Sequence, residues 1–92
     1  MNHYHGYRVA KTGEDIVVGT CPFKPRTVKF YVDDGAGTII VGYKTDDMAS
    51  DAYLSSGTGV DAGVTLSNTG FTIAAAADLI VDGEKVYFEV LG

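Results

Sequence analysis

Arg26-Thr27-Val28-Lys29-Phe30-Tyr31-Val32 alternates cleanly between apolar and mixed positions. Successive side chains of an extended chain point to opposite faces. Val28, Phe30 and Val32 therefore share one face, and Thr27, Lys29 and Tyr31 the other, the pattern of a half-buried antiparallel strand. Asp33-Asp34-Gly35-Ala36-Gly37 follows as a loop, and Thr38 to Lys44 reads as the returning strand. On that strand Ile39, Val41 and Tyr43 face one way, while Ile40, Gly42 and Lys44 face the other. Upstream, Pro22 and Pro25 keep Phe23-Lys24 extended or turned. Tyr7 and Val9, then Ile16 and Val18, flank Lys11-Thr12-Gly13, which predicts a hairpin within residues 1–20, an arm available to a partner.

Residues 45–69 change character, being rich in Asp, Ser, Thr and Gly with isolated apolar residues. They read as a long surface excursion with short strands near Tyr53 and Val64–Leu66. Gly70-Phe71-Thr72-Ile73 restores the strand pattern. Ala74 to Ala77 is too short to hold a helix in water, and reads as a turn where small side chains let backbones approach. Asp82-Gly83, between Leu79-Ile80-Val81 and Glu84 to Leu91, predicts a hairpin. Beyond it Val86, Phe88 and Val90 face the core, with Tyr87 and Glu89 outward. The expected fold is one all-β domain over residues 1–92, a small antiparallel β-sandwich or jelly-roll-like barrel of about eight short strands.

The whole chain has 92 residues, 46% hydrophobic, with one cysteine, Cys21. A domain of this size hides only about 60–65% of its unfolded surface, and no internal disulfide can add to that core. Oligomerisation or attachment to a larger body is the natural remedy. The net charge of −5 excludes a general nucleic-acid binder, which needs clustered Lys and Arg. Residues 1–32 carry +3 and residues 33–92 carry −8, so basic and acidic parts are available to meet across subunits. Residues 1–20 lack the apolar core of a signal peptide, and the most apolar stretch, Phe71 to Val81, is short and interrupted by Asp78. No membrane partner is expected, and synthesis is expected in the cytoplasm.

Catalytic chemistry finds little support. The histidines are His3 and His5, near the terminus, and neither Cys21 nor a serine has a general base beside it in sequence. Gly57-Thr58-Gly59-Val60-Asp61-Ala62 matches a dinucleotide fingerprint in letters, but lacks the strand before it and the helix after it. Asp33-Asp34, Asp46-Asp47 and Asp51 lack the ordered spacing of a calcium loop, and loop aspartates usually bond their own turns. Met1-Asn2-His3 has the outline of an amine-and-imidazole chelate, against the plainer reading of an incidental histidine. No catalytic, cofactor or metal residue is therefore assigned. Cys21 reads as a small buried hydrophobe. The six tyrosines suit protein or carbohydrate contacts wherever they point outward.

Gly70-Phe71-Thr72-Ile73, a short spacer, and Ala77-Asp78-Leu79-Ile80-Val81-Asp82-Gly83-Glu84-Lys85-Val86-Tyr87-Phe88-Glu89-Val90 resemble a segment of many small tailed-bacteriophage virion proteins. In those proteins Gly-Phe-Thr precedes Ala-Asp-x-Asn-x-x-Gly-x-x-Tyr-x-Tyr and closes a β-sandwich. Here Ile80 stands for the usual asparagine and Val86 where tyrosine is frequent. Upstream, Pro25-Arg26-Thr27-Val28-Lys29-Phe30 is similar to the Lys-Pro-x-x-Val strand that often opens such domains. The resemblance implies a non-enzymatic structural protein on the surface of a phage capsid, a decoration (cement) or head-fibre-like β-sandwich.

A chain of this length is short for a fibre with shaft and tip, so decoration of the mature head lattice is the expectation. Its partners would be the major capsid protein and further copies of itself, with a trimer favoured over a dimer, and the virion its location. A head-fibre or tail-associated module recognising host-surface glycan is the alternative. Expected partner contacts are Tyr4, Tyr7, Arg8, Lys11, Lys24 and Arg26 in the basic front segment. Asp46, Asp47 and Tyr53 are expected to form a second contact in the excursion.

Overall fold

A computed structural model describes residues 2–92. The amine of the Met1-Asn2-His3 set lies outside the described residues. The strands are β1 (His3–Val9), β2 (Ile16–Val18), β3 (Thr27–Asp33), β4 (Ile39–Thr45), β5 (Ala52–Ser55), β6 (Gly59–Ala62), β7 (Val64–Ser67), β8 (Gly70–Ile73) and β9 (Lys85–Leu91). They form two antiparallel sheets, a six-stranded one in the order β1-β9-β3-β4-β5-β6 and a three-stranded one in the order β2-β8-β7. The chain is thus an all-β sandwich, with nine strands among the described residues where about eight were expected.

The core lies between the sheets. Val28, Phe30 and Val32 of β3 and Val86, Phe88 and Val90 of β9 are buried on the inner face of the large sheet, as their alternation predicts. Ile16, Val18, Val64, Phe71 and Ile73 meet them from the small sheet. Phe71 reaches across to both Phe30 and Phe88, edge to face, at ring centroid separations of 5.1 and 5.2 Å. The register explains how two phenylalanines fit side by side on the large sheet. Gly6 is the cross-strand partner of Phe88 and Gly42 that of Phe30, so an inner row reads Gly6-Phe88-Phe30-Gly42. A Cβ at Gly6 would lie 3.0 Å from the Phe88 ring, and one at Gly42 would lie 3.1 Å from that of Phe30. Each ring spreads over its bare neighbour.

Two expected hairpins are corrected. Gly13 does supply a turn (φ +84), but β1 pairs with β9 and β2 pairs with β8, so the segment after β1 crosses between sheets. Residues 1–20 are therefore not a hairpin arm; β1 is an integral edge strand of the large sheet. Asp82-Gly83 likewise turns (Gly83 φ +79, Glu84 N–H to Val81 C=O 3.0 Å), yet residues 74–84 form no strand. They cross the sandwich and deliver Leu79 to the core, where its methyls stand 3.3 Å from the vacant Cβ position of Gly42.

Residues 45–69 are more ordered than an excursion. They contain the β5–β6 hairpin and then β7, with Gly63 (φ +127) as the corner where the chain leaves the large sheet for the small one. Here the alanine run acts as expected. Ala74 donates its N–H to the Gly63 carbonyl at 2.6 Å, and a Cβ on Gly63 would lie only 3.1 Å from that of Ala77.

Candidate interaction surface

The outer face of the six-stranded sheet is built by the residues that alternate with the core. One transverse row runs Tyr7-Tyr87-Tyr31-Val41 over β1, β9, β3 and β4. The next runs His5-Glu89-Lys29-Tyr43-Leu54-Val60 across all six strands. Side chains directly opposite on neighbouring strands touch, so each row is a continuous ridge. The tyrosines stay open, with exposures of 49% for Tyr7, 50% for Tyr87 and 37% for Tyr31. Val9, Ile39, Val41, Leu54 and Val60 are exposed beside them. The Tyr7 and Tyr87 rings stand 5.9 Å apart, and the Lys85 ammonium lies 4.8 Å above the Tyr7 ring.

Shallow grooves flank the Tyr31–Tyr87 pair on both sides. One, of about 380 Å³, is bordered by Asp33, Ile39 and Lys85. The other, of about 370 Å³, is bordered by His3, His5 and Glu89. Isolated apolar residues on a surface are ordinary, whereas a contiguous sheet face of them marks an interaction site. β4 explains why this face is so apolar. Its inner positions are Ile40, Gly42 and Lys44, which leaves Ile39, Val41 and Tyr43 facing outward.

The expected contact residues do not converge on one surface. Lys24, Arg26, Asp46 and Asp47 gather at one end of the sandwich around two adjoining shallow grooves that share Asp46. Arg26 Nε approaches Asp46 Oδ2 at 3.8 Å, and both side chains are largely exposed. Arg8 lies toward the other end of β9, opposite Val86, with its guanidinium 5.8 Å from the centre of the Phe88 ring. Lys11 reaches Glu14 in the turn beyond, at 3.5 Å. The basic front segment thus forms no single positive patch, because β1 and β3 are separated by β9. Tyr4 points to the inner side of β1, where its hydroxyl meets Thr20 Oγ1 at 2.7 Å. Only Tyr7 of the nine lies on the tyrosine row.

Tyr53 is corrected outright. It is fully buried, and its hydroxyl donates to Asp78 in the crossing segment, with Asp61 Oδ2 at 3.4 Å. Ser55 donates to the second oxygen of Asp78 at 2.5 Å. Burial, then the hydrogen bond to Asp78 and the charges of Asp78 and Asp61, push the Tyr53 phenol far above its usual range. Lys44 and Ser55 are further buried polar residues that sequence reading missed, and Lys44 is the charged one. Its stem lies in the core, and its ammonium donates to the carbonyls of Ala49 and Ala52, both at 2.6 Å. Burial lowers its pKa and the charge of Asp51 opposes that shift.

The loop aspartates bond their own turns. Asp33 accepts from Gly35 N–H at 2.8 Å, and Asp34 from Ala36 N–H at 2.7 Å. Cys21 is buried in the core, while His3 and His5 project from the exposed face of β1 with their rings 5.2 Å apart. The geometry does not bring thiol and imidazole together. No protein-family model, curated protein or solved structure matches this chain.

Proposed function

We propose that this chain is an assembly protein of a tailed-phage particle, one that decorates the capsid and holds neighbouring subunits of the head lattice together. The observation that carries this reading is the outer face of the six-stranded sheet. A 92-residue domain that leaves a contiguous tyrosine and aliphatic face in water gains stability from whatever covers it. The resemblance of Gly70–Val90 and Pro25–Phe30 to small virion proteins supplies the kind of assembly. The end of the sandwich bearing Lys24, Arg26, Asp46 and Asp47 offers mixed charge for contact with the major capsid protein.

A cement protein acts by binding the mature lattice in preference to the open one, so each bound copy adds to the free energy of disruption. Expressed with the major capsid protein of its own genome, the chain is expected to co-sediment with heads and raise their disruption temperature. Heads without it that withstand heat and osmotic shock equally well overturn the reading. A glycan-recognising head-fibre or tail-associated module draws on the same tyrosine row, since exposed aromatic rings stack on sugars. Saturable binding of the isolated chain to host-surface glycan, without binding to heads, favours that alternative.

A further inference from the structure

We infer that the outer face of the six-stranded sheet docks a second copy of this chain, sheet against sheet, in a two-fold pair. The inference rests on the assembly reading above and names what first covers the face. Charge selects the occupant. The chain carries −5, yet the outer-face positions of the six strands carry Lys29 and Lys85 against Asp33 and Glu89, a balance of zero. Two copies meeting here bring no net charge together, whereas the remaining surface holds the net charge and repels its own kind. Lys29 and Glu89 are cross-strand neighbours in a row that continues through Tyr43, Leu54 and Val60, so one face offers both signs side by side for opposite partners across a dyad.

Size agrees. Six strands at about 4.8 Å spacing and about 20 Å length give a footprint of roughly 580 Å². Side chains standing off such a footprint present close to the ~800 Å² that a standard interface takes from each partner. Symmetry follows from having one such face. A two-fold contact uses the same patch on both copies, whereas a three-fold ring needs two different complementary patches on each. Sheets of natural twist stack face to face with their strands about 30° apart. The mixed-charge end borders the paired face at the strand ends Thr27, Thr45 and Leu91, and its Lys24 side, beside Leu66 and Asn68, lies away from the pair and remains free for the head lattice.

Sedimentation equilibrium of the purified full chain tests this. The expected mass is twice 9.7 kDa. Tyr31→Glu is expected to give single chains with an unchanged far-UV circular dichroism spectrum. Lys29→Glu shifts the face from zero to a net −2 and Glu89→Lys shifts it to a net +2, so each alone is expected to be monomeric, and an equimolar mixture is expected to restore the pair. A wild-type chain that stays single at about 100 μM, a three-chain mass, or a mixture that fails to pair overturns the inference. The mixture also decides the case should Tyr31→Glu fail to fold. A single-chain wild type that still binds heads removes the pair and leaves the capsid reading intact. A paired wild type that ignores heads removes the capsid reading alone.

Discussion

The hydroxyl of Tyr53 donates to the carboxylate of Asp78, tying β5 of the large sheet to a segment that crosses the sandwich, 25 positions further along the chain. Ser55 holds the other oxygen of the same carboxylate, so a half-buried acid receives two hydroxyls from alternate positions of one short strand. Tyr53→Phe keeps the ring and strips Asp78 of one donor. Hydrogen bonds to charged groups contribute about 1.5–3 kcal/mol. Urea unfolding is expected to show a loss in that range with an unchanged slope.

Alkaline titration gives a second test of the same bond. The folded chain holds the Tyr53 proton above its ordinary value, so past about pH 10 the unfolded chain releases a proton that the folded one keeps. The stability from Tyr53 is complete below that pH and declines as pH rises beyond it. Lys44 has the opposite sign. Its folded pKa is lowered, so stability rises with pH from that lowered value up to 10.5. A step of phenolate absorbance that appears only as the fold opens, and that Tyr53→Phe removes, is the expected signature.

Lys44→Met keeps the buried stem and deletes the donor to the Ala49 and Ala52 carbonyls. Leaving buried acceptors without a donor costs about 1–3 kcal/mol, partly offset because no ammonium then has to be desolvated. The expected outcome is a lower denaturation midpoint with faster proteolysis within 46–51, the loop that those bonds anchor.

Gly70→Ala is expected to abolish the native fold. A Cβ there would fall 1.7 Å from the carbonyl oxygen of Val18, a backbone atom in the neighbouring strand that cannot move without opening the β2–β8 ladder. Gly13→Ala, at a positive φ of 84° but with open space around it, is expected to lose only about 1 kcal/mol. Thermal melts of the two variants side by side separate collision from backbone strain.

Phe71→Ala removes the ring that bridges Phe30 and Phe88 between the sheets. Truncations of buried phenylalanine cost about 3–5 kcal/mol. For a domain near this size each kcal/mol corresponds to a shift of roughly 4–8 °C, so a melt displaced by less than about 10 °C would contradict the bridging role.

Much of this architecture is legible in the sequence wherever one face of a strand is strongly apolar. β3 and β9 announce themselves, because Val28-Phe30-Val32 and Val86-Phe88-Val90 leave no doubt which side is inward. β4 does not. Ile39, Ile40 and Val41 put apolar side chains on both faces, and the inner face turns out to hold a glycine and a lysine. Gly42 is inward because Phe30 needs the space, and Lys44 because two loop carbonyls receive its ammonium; both reasons lie on other segments. The turns at Gly13 and Gly83 are likewise correct locally, but turn chemistry says where the chain reverses and nothing about which strand it pairs with next. Tyr53 looked like a contact residue because its carboxylate partner lies so far along the chain. The tyrosine row was out of reach for the same reason, since Tyr7, Tyr31 and Tyr87 become neighbours only once β9 has entered between β1 and β3.

That insertion governs when the molecule can exist during its own synthesis. The ninth strand in the chain is the second across the large sheet, so β1 and β3 have no neighbour between them until Lys85–Leu91 has emerged from the ribosome. Pairings between the ends of a chain are the slowest to form. The large sheet consequently cannot close before β9 is made, and a polypeptide interrupted anywhere before it has neither a closed core nor a tyrosine face.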